Sequence, residues 1–178
     1  MRTLMSLVPP ANIFQNAWVV DDLEHTCHDW IKTFGIGPFF ITEYPAGTFK
    51  TVTYRGQPAD LSMRVALAQA GPVQIELIEP WSSPSVYRDS VPAGSGSTMH
   101  HLGAWSDDFE GDLIRYQELG CEAITIGKTA STNFAYLDTR AHIGCMLEIV
   151  TKTSAVQARF AKIAAAAENW SGERPLRD

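Results

Sequence analysis

Apolar positions along the chain follow two periods that take turns. Leu23, Trp30, Ile31 and Phe34 recur at helical spacing, after Asp21-Asp22 and before Gly35. The arrangement returns at Phe109, Leu113, Ile114, Tyr116 and Leu119, after Asp107-Asp108 and up to Gly120. An Asp at each N-cap accepts hydrogen bonds from free backbone N–H groups, and further acids suit the positive end of the helix dipole. Elsewhere the pattern is strand-like. Phe39 to Tyr44, Phe49 to Tyr54, Leu61 to Gln69 and Val73 to Glu79 follow the first helix. Glu122 to Ile126, Asn133 to Asp138 and Cys145 to Val150 follow the second. Pro45-Ala46-Gly47, Gly56-Gln57-Pro58, Gly71-Pro72 and His142-Ile143-Gly144 mark turns between them.

These two runs share one plan. Gln15 to Glu24 overlays His101 to Glu110 at a constant offset of 86 residues, each reading as a short strand, Asp-Asp, an apolar residue and Glu. The closing strands echo as well, Gly71 to Ile78 against Gly144 to Val150. The expected fold is α+β. It has two βαβββ modules, residues 11–80 with an insertion at 46–60 and residues 99–152, paired in one concave sheet. Residues 81–98, rich in Pro, Ser and Gly, are expected to be a surface linker. Residues 153–178 are expected to form an Ala-rich helix, with Val156, Phe160 and Ile163 docking on the body or on a second subunit. Gly172 to Asp178 reads as a frayed end.

A length of 178 residues suits two such modules fused around one core. No apolar run reaches the ~18 residues of a membrane span. Met1 to Pro10 is too short in its apolar part for a secretory signal, so no membrane partner is expected. With 14 basic against 20 acidic residues the formal charge is −6, which speaks against a nucleic-acid partner. Cys27, Cys121 and Cys145 are odd in number and lack metal-type pairing. They argue against a disulfide framework and for a reducing cytoplasm.

Candidate chemistry comes from polar residues on strands that should be buried. Glu76 alternates with Ile75 and Leu77, and Glu148 stands between Leu147 and Ile149, at matching places in the two closing strands. Gln15 and His101 hold matching places in the two opening strands. Taken singly, each has an ordinary reading as a solvent-facing or hydrogen-bonded side chain. Taken as a repeat, they converge about a pseudo-twofold axis. Two carboxylates, an amide oxygen and an imidazole suit a divalent cation such as Zn, Ni, Co, Mn or Mg, with positions left for water or substrate. Non-haem Fe(II) more often takes two His and one carboxylate, which disfavours an oxygenase. His100 is expected on the opposite face by strand alternation. Tyr54, Arg55, Arg64 and Arg140 are candidates for an anionic group, although surface placement is their ordinary account.

Together, the paired modules and Gln15, Glu76, His101 and Glu148 resemble the vicinal oxygen chelate superfamily over residues 11–152. Its members include glyoxalase I, methylmalonyl-CoA epimerase, extradiol dioxygenases and antibiotic-resistance binding proteins. Met99-His100-His101-Leu102-Gly103 with Asp107-Asp108, and Gln74 to Pro80, are similar to epimerase segments. The resemblance implies a half-barrel mixed sheet and a small-molecule substrate. It also implies proton abstraction next to a metal-bound carbonyl, with Glu148 as base and Glu76 as its counterpart. A homodimer is expected, since open half-barrels often pair. The other readings are a metal-free binding protein of the bleomycin-resistance type and, less favoured, an Fe(II) dioxygenase.

Overall fold

The computed structural model describes residues 11–178; the Met1 to Pro10 segment considered above lies outside them. The strands are β1 (Asn12–Val19), β2 (Phe39–Tyr44), β3 (Thr51–Tyr54), β4 (Gln57–Pro58), β5 (Met63–Ala70), β6 (Val73–Pro80), β7 (Thr98–Ser106), β8 (Ala123–Lys128), β9 (Asn133–Leu137), β10 (Met146–Thr151) and β11 (Leu176–Arg177). Helices α1 (Leu23–Phe34), α2 (Val86–Ser90), α3 (Phe109–Glu118), α4 (Arg140–Ile143) and α5 (Ser154–Ala167) complete the fold. One curved, mixed sheet runs β11-β2-β5-β6-β1-β7-β10-β9-β8-β3-β4. At its centre β1 and β7 are antiparallel, and each is flanked by the parallel closing strand of its own half, β6 or β10.

The helices that open the two modules, α1 and α3, begin as their sequences dictate. Asp22 accepts from His25 N–H at 2.9 Å to open α1, and Asp108 accepts from Gly111 N–H at 3.1 Å to open α3. Such a cap stabilises a helix by about 1 kcal/mol relative to Ala. Gly35, at φ 68°, closes α1 in the left-handed region that its missing Cβ permits. Leu23 and Cys27 of α1 are buried against Ala66, Ala68, Ile75 and Leu77. Phe109 of α3 is buried against Ala104, Ala135, Leu137, Leu147 and Ile149. Ile114 and Leu119, counted with the apolar face from spacing, remain exposed because α3 presents them away from the sheet.

A third apolar cluster fills the concave face and spans both halves. Helix α5 lies over it, burying Ile163, while Phe160 packs on Phe14 and Trp105 at ring-centroid distances of 5.7 and 5.6 Å. The tail helix therefore docks on the body of its own chain.

The 81–98 stretch differs from a surface linker. Its Pro and Ser content conceals Ser85, which accepts from Arg88 N–H to cap α2, and the apolar set Val86, Tyr87 and Val91, all buried in the concave cluster. The end of the chain also differs from expectation. Phe39 N–H donates to Pro175 O at 2.9 Å, and β11 pairs in parallel with β2, so backbone pairing secures residues that carry little apolar signal. The segment at 46–60 contributes β3, which reaches across to pair with β8 of the second half, and β4, which pairs with β3 at the sheet edge.

Candidate functional site

Backbone register builds the site around the central strand pair. Ala17 is flanked by Glu76 on β6 and His101 on β7. Gly103 is flanked by Gln15 on β1 and Glu148 on β10. Ala17 and Gly103 occupy matching places in the 86-residue repeat, so two small residues leave room for four larger polar ones. At Gly103 the space is fully used: a Cβ there would lie 2.6 Å from Gln15 Oε1.

Register shifts turn the first polar side chain of each half inward. Between Ile13 and Gln15 the pairing skips Phe14; between Ala17 and Trp18 it skips His100 on β7. Phe14 and His100 are again 86 residues apart. An extra residue in a strand breaks the alternation of sides. This explains why His100 shares the concave side with His101, against the expectation from simple alternation. His100 is 2% exposed and lies between the rings of Tyr87 and Tyr136.

Gln15, Glu76 and Glu148 line one cavity, and His101 lies buried against the two carboxylates. His101 is fully buried, with its Nε2 3.3 Å from Glu76 Oε2 and 3.4 Å from Glu148 Oε2. One donor atom from each of Glu76, His101 and Glu148 lies within 4.8 Å of the others. Gln15 Nε2 donates to Gln74 Oε1 at 2.8 Å, an orientation that turns Gln15 Oε1 away from that partner. Gln15 Oε1, Glu76 Oε2 and His101 Nε2 are all buried without a hydrogen-bond partner. Buried polar atoms are rarely left so. The ion-pair distances of His101 to Glu76 and Glu148, without hydrogen-bond geometry, fit donor atoms aimed at a shared centre.

Electrostatics follow from burial and mutual charge. Burial raises the Glu76 carboxyl above the ordinary range, partly offset by the neighbouring His101 imidazole. For His101, burial opposes the charged form, yet the Glu148 and Glu76 carboxylates outweigh it and raise the imidazole to about 9. Burial pushes His100 down to about 3, with the charge of His101 adding to the effect.

Above this floor the cavity measures about 330 Å³. Phe14, Phe49, Met63, Leu67, Phe134 and Phe160 supply much of its apolar wall, and Glu76, Glu148 and Gln15 open onto it. Tyr87 and Tyr136 also line it and share an O–H···O bond of 2.8 Å. Of the anion candidates, Tyr54 and Arg55 bond Asp89, Arg140 binds Asp138 and Arg64 binds Glu24. None of them lines the cavity. The cation that does is Arg159 of α5. It was legible as a charged residue interrupting the apolar helical face Val156, Phe160, Ile163.

Comparison with known proteins agrees with this architecture. A hypothetical protein from Bacillus halodurans C-125 is similar at 15% identity and a TM-score of 0.59, over 82% of this chain and 97% of its own. Methylmalonyl-CoA epimerase from Mycobacterium tuberculosis is similar at 14% identity and a TM-score of 0.55, over 87% of this chain and 97% of its own. A Streptomyces coelicolor methylmalonyl-CoA epimerase variant in complex with 2-nitronate-propionyl-CoA is similar at 14% identity and a TM-score of 0.52, over 82% of this chain and 100% of its own. At these identities the likeness is one of fold. No curated protein matches the chain. Residues 14–136 match the family model of the Glyoxalase/Bleomycin resistance protein/Dioxygenase superfamily, and the chain belongs to that superfamily.

Proposed function

We propose that this protein is a divalent-metal-dependent enzyme of the glyoxalase and epimerase type. It removes a proton from the carbon beside a substrate carbonyl, giving isomerisation, epimerisation or lyase chemistry. One observation carries the reading: donor atoms of Glu76, His101 and Glu148 lie within 4.8 Å of one another, with Glu76 Oε2, His101 Nε2 and Gln15 Oε1 all buried without partners. Their donor set of three oxygens and one nitrogen fits Zn, Ni, Co, Mn or Mg, and the two carboxylates balance a double positive charge. Gln15, Glu76, His101 and Glu148 would hold that cation, which supplies Lewis acidity to weaken the neighbouring C–H bond.

The chain's own residues do the rest. Glu148 opens onto the cavity and takes the proton; Glu76, its pseudo-symmetric counterpart, is placed to hold or return a proton from the other side. The aromatic and aliphatic walls keep water from the carbanionic centre. The substrate is a small molecule. Acyl-CoA thioesters enter as candidates because a structurally similar epimerase binds a propionyl-CoA derivative. A homodimer in the cytoplasm completes the proposal.

Elemental analysis of purified protein, with deuterium uptake from D₂O by 2-oxoaldehyde thiol adducts and acyl-CoA thioesters, tests this reading. Stoichiometric metal lost in His101→Ala, and exchange lost in Glu148→Gln with metal retained, are the expected results. One observation favours a second reading, a metal-free ligand-binding protein: protonated His101 between two carboxylates makes an ion triad that needs no cation. Protein that binds none of these metals, and His101→Ala with unchanged ligand affinity, would establish that alternative instead.

A further inference from the structure

Arg159 is, among the described residues, the one Arg or Lys side chain that lines the cavity. Helix α5 carries it three residues after Val156, on the face turned to the sheet. Its Nη1 donates to Tyr44 Oη at 2.9 Å and its Nη2 donates to Thr42 Oγ1 at 2.9 Å. These bonds hold the guanidinium against β2, yet they occupy two of its five N–H donors. Both partners are neutral. Arg55, Arg64, Arg88, Arg115 and Arg140 each pair with a carboxylate, at Asp89, Glu24, Asp21, Asp112 and Asp138. Arg159 has no such partner among the described residues.

A half-buried cation among aromatic walls without a counter-ion is unfavourable unless something supplies one. Glu76 feels the charge of Arg159 but forms no ion pair with it, and in the reading above Glu76 and Glu148 are matched to a divalent cation. Resting on that reading, we propose that Arg159 is the specificity residue for a substrate carboxylate. The ligand is a small organic monoacid with an apolar or aromatic body. Its carboxylate takes the free N–H groups of Arg159, its body lies along Phe14, Phe49, Phe134 and Phe160, and its carbonyl end reaches the floor. The guanidinium fork fits carboxylate and phosphate alike, but its single charge balances one carboxylate and leaves the second charge of a phosphate unmatched. A volume of about 330 Å³ sits at the small end of ligand pockets, which suits a one-ring acid.

Isothermal titration of the full chain as purified, its metal content retained, with phenylacetate and with phenylacetamide tests the assignment. Wild type is expected to bind the carboxylate at least about tenfold more tightly than the amide, as a charge-assisted hydrogen bond supplies. Arg159→Met abolishes the preference, Arg159→Lys keeps part of it, and Thr42→Val, which loosens the tether but keeps the cation, retains it. Circular dichroism on each variant verifies folding; should Arg159→Met not fold, Arg159→Lys decides by weakening the preference or leaving it whole. Equal affinity for the two probes, binding of neither, or a preference surviving in Arg159→Met overturns the assignment. A carboxylate preference in a protein that takes up no divalent cation sinks the metal reading alone. Metal uptake without the preference sinks the role of Arg159 alone.

Discussion

His100 and His101 are neighbours in sequence, yet their Nδ1 atoms lie 3.0 Å apart on the same side of the sheet. The bond has a direction. His100 Nε2 lies 3.1 Å from Val86 O, and a carbonyl only accepts, so that nitrogen carries the proton. His100, pushed down to about 3, stays neutral, so its Nδ1 is the acceptor for His101 Nδ1–H. His101 is thereby presented with Nε2 toward the carboxylates, and in its neutral form that nitrogen is the free lone pair. His100 is a positioning residue.

In a protein that holds a metal, His100→Leu should weaken affinity about 10- to 100-fold, the usual cost of losing a partner that orients a ligand. His100→Gln, able to accept the same proton, should recover part of it. Metal titration monitored by calorimetry reads the effect. An unchanged affinity in His100→Leu would remove the orienting role.

Chelator-stripped protein should lose stability as pH rises. His101 is raised from 6.5 to about 9 by its two carboxylates, so the folded state holds the proton more tightly than the unfolded chain. Its contribution is full below pH 6.5 and is lost as pH climbs through about 9. Thermal melts across this window should show a falling midpoint in wild type and a flatter profile in His101→Gln. Identical profiles would show that the buried triad does not set the trend.

Gly103→Ala tests the packing of Gln15. The added Cβ would come within 2.6 Å of Gln15 Oε1 and 3.0 Å of its Cβ, so the amide must move. Overpacking of this kind costs about 1–3 kcal/mol. The variant should melt below wild type and take up metal more weakly. Ala17→Gly, which only enlarges the gap in the other half, should disturb uptake far less.

Tyr87→Phe leaves the Tyr136 hydroxyl buried without its 2.8 Å partner, at a cost of about 1–3 kcal/mol. Removing both hydroxyls together should cost less than the sum of the two single changes, since neither is then left alone. Denaturant titration of the four proteins in the cycle measures the coupling. Strict additivity would mean that the bond contributes nothing.

How much of this was written in the sequence depends on which rule each residue obeys. Strand β2 starts and stops where its alternation does, and α1 and α3 begin at the predicted Asp caps. Gln15, Glu76, His101 and Glu148 stood out because they break an apolar pattern at repeated places. His100 was misplaced because an extra residue in β7 shifts the side it faces, and that shift depends on pairing with β1. Tyr87 was hidden in Pro- and Ser-rich sequence whose order comes from tertiary burial. Arg159 lies 83 residues beyond Glu76, outside the repeat, so no symmetry flagged it.

The crossing of β3 to β8, together with the return of β11 to β2, has a consequence for the duplicated architecture. Each half ends in a strand lent by chain outside its own repeat, so the ancestral symmetry has become a mutual dependence. Neither half can be excised as a self-sufficient building block. Cutting the chain near residue 96 should yield two fragments that recover the native assembly only when mixed.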